Sequence, residues 1–163
     1  MEYPLLPKQM PERIQSVWRK TALLTTMAFI LIGSAITGFL MWLDALEGFW
    51  FWLVIGYFGL VAIGLIISLA LVPYRYHYYR FEVTPEDLAF QKGFIFRSIT
   101  YVPMNRIQHV ETEQGPFLRK EGLMEIVIHT AATSHRIAGL KIDEAMTSRE
   151  QIVALVKVAK EDV

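Results

Sequence analysis

The chain has no cysteine, so disulfides, thiolate catalysis and Cys-based zinc sites are excluded. It also lacks charge over two long stretches: Thr21–Leu43 and Gly48–Val72 contain no Asp, Glu, Lys or Arg. Intramembrane charges mark ion and proton pathways, so uncharged spans argue against transport by this chain alone. Net charge is zero, which argues against bulk nucleic-acid binding. No Gly-rich loop opens a helix, so no phosphate cradle is read from the sequence.

What the chain does have is apolar length. Each uncharged run reaches the about 20 residues that a helix needs to cross a bilayer. Backbone groups in lipid must be bonded internally, so each run is expected to be an α-helix. Only Asp44, Ala45, Leu46 and Glu47 separate them, which predicts a transmembrane hairpin with a tight turn. The expected organisation is an N-terminal segment 1–20, spans 21–43 and 48–72 around an extracytoplasmic turn 44–47, and a soluble domain over 74–163. Lys8, Arg13, Arg19 and Lys20 precede the first span and Arg75 and Arg80 follow the second, while the turn carries only acids. That asymmetry predicts both termini on the cytoplasmic side of an inner membrane. Trp18, Trp42, Trp50, Trp52 and the tyrosines at 74, 76, 78 and 79 sit near span ends, as aromatic belts do. The polar lead before the first span does not suit a cleaved signal peptide.

Past Pro73 the pattern becomes short β-type runs broken by turn residues. Strands are expected over Tyr76–Val83, Leu88–Lys92, Phe94–Val102, Ile107–Glu113, Leu123–Thr130 and His135–Leu140, with an irregular piece over Phe117–Gly122. Ser148 with Gln151 has capping-box spacing, and Ile152, Leu155, Val156 and Ala159 form an apolar stripe, predicting a C-terminal helix. The fold class read from these elements is a membrane α-helical hairpin plus an all-β sandwich or barrel capped by a C-terminal α-helix.

Three motifs carry a family likeness. They are Val102-Pro103-Met104-Asn105-Arg106-Ile107-Gln108-His109-Val110-Glu111-Thr112, then Gln114-Gly115-Pro116-Phe117-Leu118-Arg119-Lys120 continuing through Gly122-Leu123, then Ile128-His129-Thr130-Ala131-Ala132-Thr133. Behind two spans they resemble the YdbS-like membrane proteins with a bacterial pleckstrin-homology (PH) domain, over nearly the whole chain to Glu161-Asp162-Val163. The resemblance implies a seven-stranded PH-like sandwich with a C-terminal helix, one strand more than the six read above. It also implies no enzymatic activity and a hetero-oligomeric partner, a larger relative with several such domains.

Candidate chemistry is sparse. No two of the four histidines share a metal-type spacing; His129 and His135 are the pair a hairpin would bring together, without carboxylates to frame them. Ser98 and Ser134-His135 have no evident triad partners. No catalytic, cofactor or metal residues are therefore assigned, and no cofactor is expected. Lipid-contact candidates are Arg75, Tyr76, Tyr78 and Arg80, where aromatics at headgroup depth flank phosphate-pairing arginines. Partner-contact candidates are Ser34, Gly38, Gly56, Gly64 and Ser68, whose small side chains let helices approach, with Arg106 and Arg119 in loops. The expected function is non-catalytic assembly with a membrane partner. The alternative is an anionic-lipid-contacting or accessory transport module that protects the envelope.

Overall fold

The computed structural model describes residues 5–93 and 97–161. The sequence expectations at Phe94–Phe96 and at Asp162-Val163 lie outside the described residues. The chain divides into two compact units, Trp18–Val72 and a second made of Met1–Val17 with Pro73–Val163.

The first unit contains the apolar lengths of helix α1 (Ile14–Trp42) and helix α2 (Phe49–Tyr78). Both are long and apolar enough to span a membrane, and their side chains are almost wholly exposed within the protein. Near the connecting turn Trp42 pairs with Phe39, Trp50 with Phe49 and Trp52 with Phe51. In that turn Asp44 and Gly48 both take positive φ, at 52° and 54°. The helices meet at Gly33: a Cβ there would lie 2.3 Å from Tyr57 Cε1, and the Tyr57 hydroxyl donates to the Phe29 carbonyl at 2.8 Å.

The second unit is the PH-like domain. Among the described residues it has seven strands in two antiparallel sheets. One sheet has the order β1 (Lys8–Gln9), β2 (Arg80–Val83), β3 (Asp87–Gly93), β4 (Arg97–Pro103). The other has the order β5 (Ile107–Glu113), β6 (Leu123–Thr130), β7 (Ser134–Lys141). A 3-10 turn at Met104–Arg106 joins the sheets, and a short helix α3 (Pro116–Lys120) joins β5 to β6. Helix α4 (Ile142–Glu161) packs on the 3-10 turn and on β5, β6 and β7. Alternation sends Phe81, Leu88, Phe90, Val102, Ile126, Ile128 and Ile137 into one core, closed by Met104, Ala145 and Ile152.

Several local expectations are corrected. The seventh strand is Lys8–Gln9, which precedes the first span and pairs with Phe81 and Arg80. Residues 5–17 group with Pro73–Val163 in one compact unit. Leu6, Met10, Ile14 and Val17 are buried, and the Leu6 amide donates to the buried Gln91 Oε1 at 2.9 Å. Ile14 fills the space that a side chain at Gly139 would need, and Gly139 sits at φ 80°, a conformation open to glycine. Tyr76–Tyr78 is helical, because α2 runs through Pro73 and β2 starts only at Arg80. Ser148 is no cap: α4 begins two turns earlier, with Asp143 and Glu144 in its first turn where acids suit the dipole, and Ser148 is buried inside it.

Candidate functional site

The residues after α2's apolar length split into two groups. Tyr76 and Arg80 are committed within the domain: the Tyr76 hydroxyl donates to the Met10 carbonyl at 2.9 Å, and Arg80 donates to the Leu6 and His77 carbonyls at 3.1 and 3.2 Å. Both side chains hold the N-terminal segment in place. Arg75 is exposed, and the Tyr78 ring lies tilted against Tyr74 and edge-on to His77. The Arg106 and Arg119 side chains are exposed and make no hydrogen bond or ion pair among the described residues. Gly38, Gly56 and Gly64 have no atom within 4 Å of where a Cβ would stand, and Ser34 and Ser68 are exposed. The small-residue positions named from the sequence are therefore open, whereas Gly33, which that spacing missed, carries the close approach.

A cleft of about 380 Å³ lies between β1, β2 and the start of α4. Lys8 sits over the Phe81 ring at 5.7 Å on one side, and Asp143 and Glu144 line the other. One cation against two carboxylates gives it no net attraction for an anionic headgroup.

The densest polar chemistry lies on the outer face of the β5-β6-β7 sheet. Period-two alternation puts His109, Glu111 and Glu113 on one face of β5. The register sets them opposite His129, Val127 and Glu125 of β6, and β7 adds Ser134 and Arg136. Arg136 Nη1 donates to Glu125 at 2.7 Å and to Glu113 at 3.3 Å. Burial is the main cause that raises the Glu125 pKa, and Arg136 opposes it.

At the other end of the same face, His109 Nε2 contacts Glu111 Oε1, and Glu111 Oε2 lies 3.9 Å from His129 Nε2. The two imidazoles stand edge to face at 5.0 Å. Ser134 Oγ is 2.9 Å from His129 Nδ1. Among the described residues, His129 Nε2 is buried without a hydrogen-bond partner. His109, Glu111 and His129 each offer a ligand atom, all within 4.8 Å of one another. The sequence expectation paired His129 with His135, but these occupy opposite faces of the sheet. His135 instead lies parallel to Phe90 at 5.3 Å. Ser134, His129 and Glu111 follow one another like a hydrolytic triad, yet 3.9 Å is too long for the hydrogen bond that orients such a base.

Over residues 21–156 the chain matches the family described as bacterial PH domain. The chain belongs to this bacterial PH-domain family. It is 33% identical over 149 residues to the transmembrane protein YdbS of Bacillus subtilis (strain 168), covering 90% of this chain and 91% of that one. This bacterial PH-domain protein is accordingly a membrane protein, and its two apolar helices are the candidate spans. No solved structure matches it. The two sheets with their C-terminal helix agree with the PH-like fold that the motifs imply.

Proposed function

We propose that this bacterial PH-domain protein works by assembly and not by catalysis. Its two-span hairpin, with both termini cytoplasmic, brings the PH-like domain to a second membrane protein, a larger relative with several PH-like domains. The observation that carries this reading is the open state of Gly38, Gly56 and Gly64. Helices associate in lipid by close backbone approach at small residues, and these faces are not used up by the hairpin's own packing at Gly33. Exposed Arg106 and Arg119 add basic contacts on the domain. The lipid reading is the weaker one, since Tyr76 and Arg80 are bonded to the N-terminal segment.

Purification in a mild detergent, with mass identification of what stays bound, tests the reading. Gly64→Leu should lower recovery of the partner and leave insertion intact, because Leu is favourable in lipid. Unchanged recovery, together with loss of anionic-vesicle binding and of function in Arg75→Ala, overturns it in favour of lipid contact. The cysteine-free chain also suits a topology test. A cysteine at Glu47 should react with an impermeant thiol reagent in whole cells, and one placed after Glu161 should not.

A further inference from the structure

We propose that the outer face of the β5-β6-β7 sheet holds a divalent transition-metal site, suited to zinc, with His109, Glu111 and His129 as ligands. Two imidazoles and one carboxylate are the donor set that zinc takes at three-ligand sites, with water in the remaining position. They come from two hydrogen-bonded strands, so the backbone, and not a flexible loop, sets their spacing. His109 and Glu111 are two apart on β5 and share a face, and His129 is the cross-strand partner of His109. The three donor atoms lie within 4.8 Å of one another. Bonds of about 2.0–2.2 Å require donors about 3.3 Å apart, and Glu111 Oε2 already lies 3.9 Å from His129 Nε2.

Two further features of His129 point to a metal. Its Nε2 is the ring atom turned to the cluster, and it is buried with no hydrogen-bond partner. An unpaired buried polar atom is costly, and a metal ion would satisfy it. Its Nδ1 is held by Ser134 Oγ at 2.9 Å. With the proton on Nδ1 donated to Ser134, the Nε2 lone pair is presented to the metal, which is how a supporting partner sets a ligating histidine's tautomer. A plain ion pair between His109 and Glu111 explains neither feature. His109 and Glu111 are about half exposed, leaving a side from which the ion enters and where water completes its shell. The proposal does not depend on the assembly reading.

The test uses the untagged full chain in detergent at pH 7.5. Zinc chloride alone is titrated calorimetrically, and cobalt(II) chloride alone is followed by its visible absorption. We expect one saturable site per chain, a cobalt band typical of nitrogen and oxygen ligands, and a melting temperature raised by zinc. His109→Ala and His129→Ala should abolish the cobalt band and the thermal shift. Ser134→Ala should keep the site but weaken it by about tenfold or more, the usual effect of losing an outer hydrogen bond. His135→Ala, on the other face, should change neither the cobalt band nor the zinc-induced thermal shift. All of these side chains are at least partly exposed, so metal-free melting of the variants checks that each folds. Absence of saturable binding in the wild-type chain overturns the site. So does binding that survives in His129→Ala, or that is lost equally in His135→Ala.

Discussion

The backbone N–H of Leu6 donates to the side-chain oxygen of Gln91 at 2.9 Å, inside the domain. Leu6 precedes helix α1 and Gln91 follows helix α2, so both long apolar helices intervene in the chain between these two residues. The same joint includes β1 against β2, Arg80 on the Leu6 carbonyl and Tyr76 on the Met10 carbonyl. The PH-like domain is therefore discontinuous, and a piece cut from Pro73 onward lacks one strand and four buried apolar side chains.

That joint makes a stability prediction. Gln91→Ala removes the acceptor and leaves the buried Leu6 N–H unpaired, at a cost of about 1–3 kcal/mol. Ile14→Ala empties a fully buried site beside Gly139 and should cost about 2–5 kcal/mol. Thermal unfolding of the full chain in mild detergent measures both. Melting temperatures equal to wild type would mean that residues 5–17 lie outside the core.

Helix α4 makes a second. Ile152 is fully buried, whereas Leu155 and Val156 are only partly covered. Ile152→Ala should cost about 2–5 kcal/mol and Leu155→Ala distinctly less, since burial scales the loss. If Leu155→Ala proves the more damaging of the two, the helix sits on the sheets with a different face.

The hairpin and six of the strands were legible because their signals are local: uninterrupted apolar length in one case, alternation between turn residues in the other. Lys8–Gln9 was not, since two polar residues carry no periodicity and acquire strand geometry only from Phe81 and Arg80 across the ladder. The start of α4 was missed for a related reason. Residues 142–147 mix three apolar side chains with two acids and a threonine, and their helical state depends on Ala145 and Ser148 reaching the core. At the sheet face, His109-x-Glu111 announces a shared side by alternation. What adds His129 is the β5–β6 register, which depends on an irregularity between Ile107 and His109 that no spacing rule predicts. Gly33 escaped notice because its close approach is set by Tyr57, an aromatic residue on the other helix.

His135 should make stability depend on pH. Burial against Phe90 lowers its pKa from the ordinary value of 6.5, and the nearby Lys92 pushes the same way. The native state thus favours the neutral ring. Its contribution is fully present above the unfolded pKa of about 6.5 and is lost as pH falls from there through the lowered native value. His135→Gln cannot take up the proton, so its melting temperature should fall less than that of wild type between pH 7.5 and pH 5.5. An identical drop in both proteins would place the acid sensitivity elsewhere.

The spans offer a contrast between two glycines. At Gly33 an added side chain runs into the Tyr57 ring, which the Phe29 carbonyl holds from the same helix turn. At Gly64 an added Cβ would meet no described atom within 4 Å. Gly33→Leu should therefore loosen the hairpin itself, lowering the melting temperature of the helical signal in detergent even without a partner. Tyr57→Phe removes only the hydroxyl bond and should cost about 0.6 kcal/mol, the average for such interhelical bonds in membranes. Gly64→Leu should leave that melting temperature where it is, so any change in partner recovery that it causes can be read as a change in association. If Gly64→Leu destabilises the lone chain as much as Gly33→Leu does, the face of α2 at Gly64 belongs to the hairpin's own packing, and the small-residue argument for an external partner loses its basis.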